Sequence, residues 1–143
     1  AESAEQAVRD ADVVVTATNA TAPVLERSWL KEGAHVNAVG GRPPQMTELD
    51  PETLAAAALY VDRRESAEKE AGDYRRALEV GAIGPDHIRA ELGEVLIGAK
   101  SGREDAGQLT IFRSLGLAVE DLAAAEYVVR RAEETGTGTT VDF

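Results

Sequence analysis

The sequence predicts an α/β protein built on a parallel sheet, with a long helix at its C-terminal end. Three observations point there. Short β-branched or apolar runs such as Val13-Val14-Val15 lack the polar alternation of a half-exposed strand, which suits strands covered on both faces. Strand, short helix, strand, helix and strand then follow one another within about sixty residues, the rhythm of crossover units. Finally, apolar residues recur at helical spacing over one sustained stretch near the C-terminus.

Taken in order, Glu2–Ala11 has the composition of a helix, and Asp12–Thr16 is the first strand. Ser28–Gly33 reads as a short helical turn closed by glycine, followed by a second strand, Ala34–Val39, that runs into Gly40-Gly41. Asp50-Pro51-Glu52 starts a helix because aspartate can cap it and proline suits its first position. Thr53–Ala58 continues that helix, and Leu59–Asp62 is the third strand. Arg63–Glu79 is charge-rich and helical, with Asp62, Glu65, Glu68, Glu70 and Asp73 expected on a solvated face among arginines. After the loop Gly81–Pro85, Asp86–Leu96 is expected to form one or two short helices, and Gly98–Gly107 a polar connection. Leu109–Phe112 is the fourth strand. The longest helix is expected to begin at Ser114 or its neighbour, with Leu115, Val119, Leu122, Ala125, Val129 and Ala132 as its packing stripe. Glu126 and Arg130 pair on its other side, Thr135–Gly138 ends it, and Thr139–Phe143 is a terminal extended segment.

Composition bounds the function. The 143 residues suit one domain or the larger part of one, and a hydrophobic content of 43% supports a real core. A net charge of −11 argues against a nucleic-acid partner, since a phosphate backbone would be repelled over most of the surface. No apolar run approaches the roughly 20 residues of a membrane-spanning helix, and the acidic N-terminus is unlike a secretory signal. The absence of cysteine removes thiolate and disulfide chemistry and suits a cytoplasmic protein. The chain opens without methionine inside what reads as a helix, so a piece of a longer polypeptide is expected.

In a parallel sheet, ligands bind beyond the carboxyl ends of the strands. Three loops qualify. Thr16-Ala17-Thr18-Asn19 offers small side chains and hydrogen-bonding groups, or is an ordinary turn. Val39-Gly40-Gly41 permits close backbone approach, and Arg42 beside it could hold a carboxylate or phosphate, or simply be solvated. Ser114-Leu115-Gly116 leads from a strand into the long helix, where free amides could meet an anion, although Ser114 could merely cap that helix. Other groupings carry less. Gly136-x-Gly138 trails a helix instead of following a strand, His87 and Glu91 lack a third metal ligand, and His35 fits a packed or hydrogen-bonded role. Trp29 suits a core or interface, no metal is expected, and no serine has the context for nucleophilic catalysis.

With these loops in view, the chain resembles the C-terminal half of the ornithine cyclodeaminase/mu-crystallin family of NAD(P)-dependent proteins. The resemblance is carried by Ala11–Thr18, His35–Gly41, Glu48-Leu49-Asp50, Val61-Asp62, Glu70–Asp73, Gly81-Ala82-Ile83, Glu91–Glu94 and Thr110–Asp121, in order and nearly end to end. It implies that residues 1–114 are the second half of a Rossmann-type NAD(P)-binding domain without its glycine fingerprint. Residues 115–143 would be a helix and tail returning toward a substrate domain. It implies NAD or NADP as cofactor, held by Thr16, Ala17, Thr18, Asn19, Val39, Gly40, Gly41, Ser114, Leu115 and Gly116, with Arg42 beside the substrate. Cyclodeaminases carry an aspartate just after the glycine pair, where this chain has Arg42-Pro43-Pro44. The expected activity is therefore that of an imine reductase or amino-acid dehydrogenase. An ornithine cyclodeaminase and a non-catalytic NADP-dependent small-ligand carrier of the crystallin type are the alternatives. The intact protein is expected to be a homodimer, and the isolated piece inactive.

Overall fold

A computed structural model describes residues 1–41 and 43–141. Its centre is a five-stranded, all-parallel sheet of β1 (Val13–Thr16), β2 (His35–Ala38), β3 (Ala58–Val61), β4 (Ile88–Glu91) and β5 (Thr110–Arg113). The spatial order is β1-β2-β5-β3-β4, so the last strand of the chain returns to the middle. The helices are α1 (Ala4–Val8), α2 (Pro51–Ala56), α3 (Arg64–Glu70), α4 (Gly72–Glu79), α5 (Leu92–Leu96) and α6 (Ala118–Thr135). Among the described residues no helix is long and apolar enough to cross a membrane.

The main core lies on one face of the sheet. Val14, Val36, Leu59, Val61, Ile88 and Ile111 pack there with Leu54 of α2 and Tyr74 and Ala77 of α4. On the other face only a small cluster forms, in which Val95 of α5 and Phe112 cover Ala58, Tyr60 and Ala90. Toward β1 that face is open, leaving Val13 and Val15 exposed. A hollow of about 670 Å³ spreads over it, lined by Val13, His35, Asn37, Tyr60, Val95 and Phe112.

Local chemistry explains most element boundaries. Asp50 caps α2 as expected, accepting the Thr53 amide at 3.1 Å, with Pro51 in the first turn. The first helix stops at Val8, and Asp10 then turns through φ +64°. The expected helix over 63–79 is two helices parted at Ala71. Gly72 lies so close to the 44–46 loop that a Cβ would fall 2.0 Å from the Met46 carbonyl oxygen.

Three expectations are corrected. Asp86–Leu96 holds one of the expected short helices, α5, but also a strand, β4, that was not expected. The register of β4 against β3 shifts at Arg89, so that Ile88 packs into the main core and Ala90 into the cluster on the other face, which leaves no regular alternation to read in the sequence. The long helix begins at Ala118, not at Ser114, because Gly116 adopts φ +77° and Glu120 reaches back to accept the Leu117 amide at 3.1 Å. The stripe on that helix is largely uncovered among the described residues, with Val119, Leu122 and Val129 exposed and Ala132 half-buried; Leu115, which precedes the helix, is buried.

Candidate functional site

Because all five strands run the same way, their carboxyl ends share one edge. β1, β2 and β5 are neighbours, in the register Thr16 opposite Ala38 opposite Arg113. The pairing continues past the strands: the Val39 amide donates to the Thr16 carbonyl at 2.8 Å, and the Ser114 amide to the Ala38 carbonyl at 3.0 Å. The loops 17–19, 39–41 and 114–116 thus lie side by side, as the sequence led one to expect.

Beneath them lies a set of buried charged groups. Glu48 is fully buried and receives the Thr16 hydroxyl at 2.8 Å, the Thr18 amide at 2.5 Å and the Gly40 amide at 2.9 Å. Gly40 is glycine for this reason: a Cβ would stand 2.2 Å from the Thr18 carbonyl oxygen and 2.5 Å from the Glu48 carboxylate. Asp62, at the end of β3, accepts the Leu115 and Gly116 amides, each at 2.6 Å, and the Ser114 hydroxyl at 3.5 Å. Arg113, also fully buried, donates to the carbonyls of Ala38 (2.9 Å), Gly41 (2.9 Å) and Ser114 (3.2 Å). Its Nε meets Asp73 at 3.0 Å. Burial pushes the Asp73 carboxyl above the ordinary aspartate range against the pull of Arg113, and its Oδ2 finds no partner among the described residues.

The Thr16 hydroxyl and the Leu115 and Gly116 amides are turned inward onto carboxylates and are not free ligand donors, and Ser114 does not cap the long helix. Gly41 is buried, and its carbonyl is held by Arg113. What the edge presents to solvent is Ala17, Thr18, Asn19, Val39 and Gly116, with Gly40 and Ser114 half-buried. Arg42, the expected substrate contact, lies outside the described residues. Asp62 and Asp73, expected on a solvated face, are both buried. His35 is hydrogen-bonded as expected, with Nδ1 at 2.8 Å from the Thr110 hydroxyl. His87 contacts the Leu54 carbonyl at 2.7 Å, while Glu91 accepts the Arg64 amide at 2.9 Å. Trp29 is half-buried against the core. No group of three His, Asp or Glu among the described residues is placed to hold a metal ion.

The edge suits a flat, partly polar ligand. Its exposed side chains are small, Val39 offers an apolar surface, and Gly116 adds no side chain to the third loop. Glu48, Asp62, Asp73 and Arg113 all lie in stretches that carry the family resemblance, yet sequence reasoning gave none of them a role at this edge. For Arg113 a signal exists: it follows Ile111 and precedes Leu115 at two-residue spacing, which puts it on the core face of its strand.

Comparison with known proteins extends this picture. The family model described as the ornithine cyclodeaminase/mu-crystallin family matches residues 1–136. A Delta(1)-pyrroline-2-carboxylate reductase from Bacillus cereus is 44% identical over 139 residues, covering 96% of this chain and 42% of that protein. The ketimine reductase mu-crystallin of Mus musculus is 51% identical over 126 residues, 88% of this chain and 37% of the relative. Among solved structures, Thermococcus litoralis Delta(1)-pyrroline-2-carboxylate reductase in complex with NADH and L-proline superposes with a TM-score of 0.89 at 40% identity. That match covers 99% of this chain and 44% of the other. The chain therefore spans less than half the length of the relatives it matches.

Proposed function

The chain belongs to the ornithine cyclodeaminase/mu-crystallin family, and from that premise we propose that it forms the pyridine-nucleotide wall of an NAD(P)-dependent oxidoreductase acting on an imine or an amino acid. The observation that carries this reading is the single edge on which the loops 17–19, 39–41 and 114–116 meet above buried carboxylates. The bound cofactor would supply or accept the hydride. The chain's own part is shape. Ala17, Thr18 and Asn19 leave room and offer polar atoms, Val39 gives the ring an apolar neighbour that excludes water, and Gly116 brings no side chain to the third loop. In this reading Arg42 stands beside the substrate carboxylate, with arginine where a proton-transferring aspartate would suit a cyclodeaminase.

The same reading makes the sheet the latter part of a Rossmann-type domain, residues 1–114, and sends residues 115–143 toward a substrate domain. The uncovered stripe on α6 supports that division. It also takes the intact protein to be a cytoplasmic homodimer. The test is steady-state oxidation of NADH and NADPH by the intact protein with five- and six-membered cyclic imine carboxylates. Turnover with a saturable imine dependence is the expected result. Tight cofactor binding without turnover would replace the enzyme with a carrier, and ammonia release from ornithine would replace it with a cyclodeaminase.

A further inference from the structure

Glu48 touches no solvent, yet it holds two of the three loops. One carboxylate oxygen receives the Thr18 amide, and the other receives the Thr16 hydroxyl and the Gly40 amide. Its own backbone is fixed, since its carbonyl accepts the amides of Val24 (2.8 Å) and Leu25 (3.1 Å), and Leu25 bridges to Leu49. The missing side chain at Gly40 lets the two loops close around this carboxylate. We propose that Glu48 is a positioning residue of the cofactor wall, setting the placement of Ala17–Asn19 relative to Val39. This role rests on the cofactor reading above.

The chemistry demands an acceptor with two oxygens at this reach. Three donors converge on the group, so the amide of a glutamine would turn an N–H toward at least one of them, and an aspartate is one methylene short. The group acts through the loops and not on a reacting atom.

The test uses the intact protein as wild type, Glu48→Gln and Thr16→Val, the last removing one of the three bonds if the first variant does not fold. Leu54→Ala, a core change in α2, serves as a comparison of stability alone. Amide exchange at Thr18 and Gly40 is read without cofactor, and dissociation constants for NADH and NADPH by fluorescence. In Glu48→Gln both amides should exchange, and the cofactor dissociate, at least about tenfold more readily; Thr16→Val should move both the same way by about threefold. Leu54→Ala should lower the melting temperature while its dissociation constant stays within about twofold of wild type. An unchanged dissociation constant in Glu48→Gln, or in Thr16→Val if that variant alone folds, overturns the proposal. So does an equal weakening in Leu54→Ala, which would make the effect one of stability. A wild type that binds neither nucleotide sinks the cofactor reading and this role with it. That failure is recognisable because the exchange data would still show the clamp.

Discussion

Gly40→Ala puts the contact between the first two loops to its sharpest test. The added methyl would sit 2.2 Å from the Thr18 carbonyl oxygen, 2.4 Å from the Thr18 nitrogen and 2.5 Å from the Glu48 carboxylate, where ordinary contact begins at 3.4 Å. Two of these neighbours are backbone, so the loops must part by about an ångström. A shift of that size breaks the 2.9 Å bond from the Gly40 amide to Glu48. Overpacking of this kind costs about 1–3 kcal/mol, and a lost hydrogen bond to a buried charged group about 1.5–3 kcal/mol. Because one movement answers for both, the two do not simply add, and a loss of about 2–4 kcal/mol is expected. Urea denaturation of the variant beside Gly84→Ala reads it. Gly84 has φ −97° and no atom within 4 Å of its missing Cβ, so that change should be neutral or stabilising, by up to about 1 kcal/mol. Gly40→Ala within about 0.5 kcal/mol of wild type would refute the packing described at this edge.

Arg113→Met should cost about 3–5 kcal/mol by chemical denaturation, because it leaves Asp73 buried without its cation and takes the guanidinium hydrogen bonds from the Ala38, Gly41 and Ser114 carbonyls; a loss under about 1 kcal/mol would contradict the buried pair. Asp73 has a folded-state pKa raised by burial, so folding takes up a proton in the window above the ordinary aspartate value, and its contribution to stability falls as pH rises through that window. The stability difference between wild type and Asp73→Asn, followed by denaturation from pH 4 to pH 7, should therefore shrink with rising pH; growth over that range would reverse the sign assigned to the group. Leu122→Gln on α6 should change the stability of this chain by less than about 0.5 kcal/mol, since Leu122 is 70% exposed. A drop of 2 kcal/mol or more, about what a buried leucine costs, would show that the stripe packs within the chain.

The parallel sheet was legible from short apolar runs, a pattern that both-face burial does impose on Leu59-Tyr60-Val61. Val13-Val14-Val15 was read the same way, but β1 is an edge strand whose Val13 and Val15 are exposed, so cover on both faces was the wrong reason there. The three loops were legible for the same reason, since strand ends are readable once strands are. β4 was not. Four residues between His87 and Leu92 cannot show a period, and it is pairing with β3 that makes Ile88–Glu91 extended. The helix stripe was legible as a stripe, but periodicity tells which residues share a face and not what covers it, and within the described residues most of it is exposed. The buried carboxylates were the deepest omission. Glu48 sits between Thr47 and Leu49 with no local signal, and its meaning arises only when Thr18 and Gly40, distant in sequence, are brought against it. Asp73 looked like one more acid on a charged helix until Arg113 came to meet it.

Amide hydrogen exchange on the intact protein, with and without saturating NADH or NADPH, tests most directly whether the three loops serve one ligand. Added nucleotide should slow exchange together in 16–19, 39–41 and 114–116, leaving the opposite edge of the sheet near Gly33 and Gly107 unchanged. Protection confined to that opposite edge, or to the open sheet face around His35, Asn37 and Phe112, would contradict it.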